Sequence, residues 1–326
     1  EKNNEELLLD MHQIIEITKS SDKERVTERL NFLKKINNKR FLKIDLFKVV
    51  YQEIASVYLK ERILSHEEFK DKFSIQLTNE QLEQLFFEVA PTLWNNNKEK
   101  FRAWQGTQII GKAIFSFKKE KGYNKKRKIR DYLKLDPNIS VSPFNKMQAI
   151  QQFDRYSCNN ADVVSFGAYM HEVNRISSSG GKDLLNWINS VINKYHFPDE
   201  VWEWKENKFL DQCYLLGKCD SILEFLPIKN RDLDKIYTKL NMMDLKKFPS
   251  FFLIYKLTEY LKKRESKQKS GDIFDTLYSV LIPYTTVFTC DSDINESLKS
   301  IMSNKKIRVE CKLYNMRQFL DEWLRI

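Results

Sequence analysis

Residues 271–294 read GDIFDTLYSVLIPYTTVFTCDSDI, and the order of elements within them decides what fold to expect. Asp272 and Asp275 lead an apolar stretch with helical spacing. Pro283 disfavours a further helical turn before it, so Tyr284 is expected to close that helix. Val287 to Thr289 then reads as a buried apolar strand that delivers Asp291, with Asp293 just beyond, at its carboxyl end. In open α/β sheets that edge is where ligands bind. Asp272 and Asp275 are three apart, which puts them on one helical face.

Outward from this stretch the pattern continues on both sides. FPSFFLIYKLTEYLKKR, residues 248–264, reads as a helix. In IRVECKLYN, Ile307, Val309, Cys311 and Leu313 alternate with Arg308, Glu310 and Lys312, as in a half-buried strand of the same sheet. At the other end of the chain, NNEELLLDMHQIIEI admits two readings: an amphipathic helix behind an Asn cap, or a short strand LLLD running into a helix. A second amphipathic helix is expected from Ser21 to Ile36, strand-like alternation follows in FLKID, and Leu46 to Arg62 is helical again. From about Thr78 to Asn241 the apolar residues recur mainly at three and four, with breaks at Gly122, Asp136-Pro137, Ser177 to Gly181 and Pro227.

Composition bounds the function classes. The 326 residues are 42% hydrophobic and 13% aromatic, enough for one large core or two smaller ones. With only 8 Gly and 7 Pro, long helices are favoured over many tight turns. No stretch approaches the roughly 20 apolar residues of a membrane helix. The opening EKNNEE lacks the apolar core of a signal peptide, so a soluble, cytoplasmic protein is expected. Five cysteines without CxxC spacing point to buried thiols rather than a disulfide framework or a zinc site.

A formal charge of +10 biases the surface toward polyanions. It is concentrated in KKEKGYNKKRKIR, residues 118–130, where eight basic residues face one acid. Lys118, Lys119, Lys125, Lys126, Arg127, Lys128 and Arg130 form either a solvated loop or a patch that grips a phosphate backbone. The histidines have no paired-ligand spacing, and neither a Walker loop nor a GxGxxG occurs. Trp202, Trp204, Phe209 and Tyr214 could stack bases, but their spacing is that of helix core.

Taken in order, FPSFFLIYKL, GDIFDTLYSVLIPY and TVFTCDSDI resemble the carboxyl-terminal half of PIN-like nuclease domains, in which an Asp-led helix ending in Pro-Tyr runs into a strand closing on Thr-x-Asp. About 80 residues, 247–326, carry the resemblance. It implies an amino-terminal half with an Asp after the first strand and a Glu on a later helix; Asp10 in LLLDMHQ and Glu53 in VVYQEIA match in that order. His12 departs from the Thr/Asn usual after the first Asp. The implied fold is an α/β PIN-like sheet flanked by helices, built from 1–75 and 245–326, with a mostly α-helical insertion over 76–244.

What the resemblance further implies is metal-dependent cleavage of RNA, as in toxin or defence ribonucleases. Mg²⁺ or Mn²⁺ would be held by Asp10, Glu53, Asp275 and Asp291, with Asp272 and Asp293 beside them. Such chemistry needs hard oxygen ligands, because the cation activates water and neutralises charge on the phosphate. The insertion would bind RNA, or DNA, or a protein regulator. The alternative expectation is a non-enzymatic, mainly helical subunit that binds nucleic acid or protein.

Overall fold

The computed structural model describes residues 6–18, 22–44, 46–96, 128–134, 181–263, 276–305, 309–315 and 317–319. The fold is mixed α/β and mostly helical, with small sheets. The amino-terminal apolar run is a strand: β1 (Glu6–Leu9) leads into α1 (Met11–Thr18), α2 (Lys23–Lys34) and β2 (Asn38–Leu42), and β1 and β2 pair in parallel. Helices α3 (Leu46–Leu59) and α4 (His66–Phe73) follow, and β3 (Ser74–Gln76) adds antiparallel to β2.

Both faces of this sheet are covered, as parallel pairing requires. Leu7, Leu9 and Phe41 pack with Ile14, Val26 and Leu30, while Leu8 and Leu42 turn toward the larger core. Period-two alternation thus assigns each residue of LLL to a different layer from its neighbour. Lys39 is buried on β2, where its ammonium donates to the Ile36 carbonyl and burial lowers its pKa.

Helix α5 (Asn79–Gln84) starts on a Thr78–Gln81 capping box and runs on through a π-helical turn, Leu85–Val89, into helical residues 90–96. The turn keeps Phe86 and Ala90 in the smaller core and leaves Phe87 exposed. Two helices end in left-handed residues other than glycine. After α3, Lys60 has φ 62°, with bonds from Lys60 N to Val57 O and from Glu61 N to Ser56 O. The same pair of bonds closes α6 (Gly181–Lys194), where His196 has φ 51°. Both are Schellman ends, in which the left-handed residue lets the chain satisfy the last carbonyls.

Helices α7 (Glu206–Leu216), α8 (Leu233–Leu240) and α9 (Pro249–Lys263) complete the main body with α3 and α6. Its core joins Leu42 to Tyr58, Ile188 to Leu257 and Val280 to Leu313. The helices expected as an insertion therefore share one apolar core with the chain on either side of them. Trp204, Phe209 and Tyr214 are buried in it and Trp202 is half-buried; Phe209 and Tyr214 stand on α7, whereas Trp202 lies in a 3₁₀ segment and Trp204 follows it in extended backbone.

The carboxyl-terminal elements follow the expected order. A 3₁₀ segment, Ser279–Tyr284, ends at Tyr284, and β4 (Val287–Cys290), α10 (Ser292–Lys305) and β5 (Lys312–Asn315) come next. β4 and β5 pair in parallel as a second sheet. The last strand begins later than its alternation suggests, since residues 309–311 are not in a strand. Cys311 instead turns its sulfur toward the Thr285 hydroxyl at 3.6 Å.

Candidate functional site

The fold contains two strand–helix–strand units, β1–α1–α2–β2 and β4–α10–β5, and each has an aspartate at the joint between strand and helix. In the first, Asp10 follows Leu9 and caps α1. Gln13 N donates to Asp10 Oδ1 at 2.8 Å, and Asp10 N donates to Gln13 Oε1 at 3.0 Å, a reciprocal box in which a carboxylate sits on the helix dipole. Asp10 is only 8% exposed. Another donor to the carboxylate arrives from the far end of the chain: Tyr278 OH reaches Asp10 Oδ1 at 3.0 Å. Tyr278 stands three residues after Asp275 in the sequence.

In the second unit, Asp291 follows Cys290 and precedes α10, with its carbonyl accepting from Asn295 N at 2.9 Å. Asp291 and Asp293 are both exposed. Asp272 and Asp275 lie outside the described residues. Among the described residues no group of three or more His, Cys, Asp or Glu side chains could hold a metal ion.

Glu53 has a different environment from the one the resemblance implied. It is 2% exposed on α3, and its carboxylate receives Ser250 N at 3.1 Å, Phe251 N at 3.2 Å and Tyr284 OH at 3.1 Å. Two of these donors are first-turn amides of α9, which have no partner inside their own helix, so Glu53 acts as a cap supplied by another element. Burial pushes its pKa up to about 7, although all of these donors favour the ionised form. Tyr284 is in turn raised well above its ordinary value by burial and by the Glu53 charge. Its ring stacks on Phe69 at 4.3 Å, and its carbonyl meets His66 Nδ1.

Of the basic run, Lys118, Lys119, Lys125, Lys126 and Arg127 lie outside the described residues. Lys128 and Arg130 are described, and both pair with Glu203, at 2.8 Å and 2.6 Å. These bonds, Lys128 first, hold the Glu203 carboxyl below its usual range. Ile129, 1% exposed between them, anchors the segment through its amide to the Trp204 carbonyl at 3.0 Å.

The residues that sequence reasoning missed are the two tyrosines. Tyr278 precedes the 3₁₀ segment and Tyr284 ends it, and each donates to a carboxylate from the amino-terminal part of the chain. Tyr284 was legible as a helix end, but nothing in the sequence announces either bond. No family model, curated protein or solved structure matches this chain.

Proposed function

We propose that this protein is a metal-dependent ribonuclease of PIN-like type, with its site at the carboxyl ends of β1 and β4. The observation that carries the reading is the buried Asp10 carboxylate, fixed at the end of a parallel strand and bonded to Tyr278. That bond ties the amino-terminal strand to the segment that follows Asp272 and Asp275. Asp10 with Asp275 and Asp291 would hold Mg²⁺ or Mn²⁺, and Asp272 and Asp293 would flank them. When bound, such an ion supplies a water nucleophile at neutral pH and charge neutralisation on the scissile phosphate.

The chain's own contribution is orientation. Gln13 N and Tyr278 OH fix Oδ1 of Asp10, and the α1 amino terminus favours its negative form. Glu53 has no part in this site, because its oxygens serve α9 and Tyr284. RNA would be gripped by the basic run that Lys128 and Arg130 close.

The second reading is a non-enzymatic, mainly helical binding protein, and the engagement of Glu53 as a helix cap favours it. The deciding experiment is cleavage of unstructured RNA and DNA by the purified protein with Mn²⁺, Mg²⁺ or a chelator, beside Asp10→Asn, Asp275→Asn and Asp291→Asn. Metal-dependent cleavage of RNA lost in all three variants supports the nuclease. Cleavage unchanged in them, or none in the parent with either metal, favours the binding protein.

A further inference from the structure

Glu203 is held by two cations at once. Lys128 Nζ meets its Oε2 at 2.8 Å and Arg130 Nη1 meets its Oε1 at 2.6 Å, so each oxygen has a cation of its own. The backbone beneath the two cations is fixed. Ile129, between them, is buried and its amide donates to the Trp204 carbonyl. Lys128 forms an antiparallel bridge with Lys205, and the Lys128 amide donates to the Asp131 carboxylate at 2.8 Å. With Ile129 turned inward, the residues on either side of it reach out to one carboxylate. Lys205 is exposed and directly opposite Lys128, which puts both on one face of the bridge, and the Lys208 ammonium lies 3.7 Å from the centre of the Trp204 ring. Two cations so placed recognise an anion that presents two oxygens along one edge, and a phosphate does this as well as a carboxylate. The three side chains of the pair of bridges are 40% to 52% exposed, and ion pairs so open to water resist exchange only weakly. A phosphate of a nucleic-acid strand has a drive that Glu203 lacks, because neutralising it releases counterions.

We infer that Lys128 and Arg130, flanked by Lys205, form a seat for one backbone phosphate of single-stranded RNA, and that Glu203 fills this seat until the strand arrives. The exchange is of one anion for another: the carboxylate swings into water, two phosphate oxygens take its cations, and no covalent bond changes. Glu203 is thus a competitor built into the chain, which sets how readily RNA engages the described end of the basic run. The seat rests on the reading that RNA is gripped at that run and on no part of the metal chemistry.

The test is binding of a short unstructured RNA by the full chain, at low salt and with a chelator present so that no metal-dependent cleavage intervenes. Four proteins are compared: the parent, Glu203→Gln, the double variant Lys128→Ala with Arg130→Ala, and the triple variant. Glu203→Gln should bind roughly two- to fivefold more tightly than the parent, and the gain should fade as salt rises. In the double-variant background the same change should bring little gain. An equal gain in both backgrounds would mean that Glu203 acts through net charge alone, and would overturn the seat; so would no gain over the parent, or no RNA bound by either. Inorganic phosphate tests the seat without any variant: it should shift the Arg130 guanidinium resonance of the ¹⁵N-arginine-labelled parent, and an unmoved resonance would overturn the proposal. Because cleavage is not read, a chain that binds RNA as expected and cuts none loses the nuclease reading and keeps the seat. A chain that cuts RNA with no effect of Glu203 on binding loses only the seat.

Discussion

Tyr278 and Asp10 meet at 3.0 Å although 268 positions separate them in the chain. The hydroxyl lands on the oxygen that also accepts Gln13 N, so one atom joins the cap of α1 to the segment that leads into β4. A bond to an ionised acceptor at a mostly buried position is worth more than a neutral surface bond.

Tyr278→Phe should accordingly lower unfolding stability by about 1–3 kcal/mol, and its combination with Asp10→Asn should cost less than the sum of the two single changes. Chemical denaturation of the two single variants and the double variant measures the coupling. Strict additivity would mean that the bond between them contributes nothing.

For Glu53→Ala the expectation is larger, because the change leaves two α9 amides and the Tyr284 hydroxyl unpaired in the core. A loss of about 3 kcal/mol or more is expected. Binding of Mn²⁺, read by calorimetry at a low temperature where the variant remains folded, should be unchanged, whereas Asp10→Asn should weaken it.

At the end of α3, Lys60 holds the left-handed position of a Schellman motif that glycine fills without a Cβ penalty. Lys60→Gly should raise stability by about 1 kcal/mol. The same change at Glu61, one position on, should bring no gain. The thermal midpoints of the two variants separate the cases.

On the nucleic-acid side, replacing Lys125, Lys126, Arg127 and Lys128 by Ala should weaken RNA binding and flatten its salt dependence. Each phosphate that is no longer neutralised takes about 0.7 off the log–log slope for single strands. Glu203→Gln should act in the opposite direction by releasing Lys128 and Arg130. Affinity measured across a salt series checks both, and an unchanged slope in the Ala variant would make the run a solvated loop.

Much of the local architecture was legible in the sequence because its period was clear. The apolar run Val287 to Thr289 became β4, Pro283-Tyr284 ended the preceding segment, and of the two readings of LLLD the strand holds, with Asp10 at its end. Parallel pairing within each sheet depends on contacts made across the chain, and the same is true of the two tyrosine bonds. Glu53 shows the limit most clearly. VVYQEIA places an acid on a helix, but whether that acid meets a cation or the amides of another helix depends on α9, some 200 positions away in the chain.

The π turn at Leu85–Val89 governs how this chain tolerates change in length. Its closing bond runs from Ala90 N to Leu85 O, so the turn holds one residue more than an α-helical turn does. Removing one residue between Leu85 and Val89 would restore the ordinary winding, in which four residues at about 100° each cover nearly the rotation that the five now cover, and would leave everything after it in nearly the same phase. Ala90, now fully enclosed, would keep its face, and Leu93 and Trp94, which pack against the same cluster, would stay with it. A single-residue deletion inside the turn is thus absorbed, whereas one in the ordinary winding beside it would put the two stretches of helix about 100° out of step with their one core.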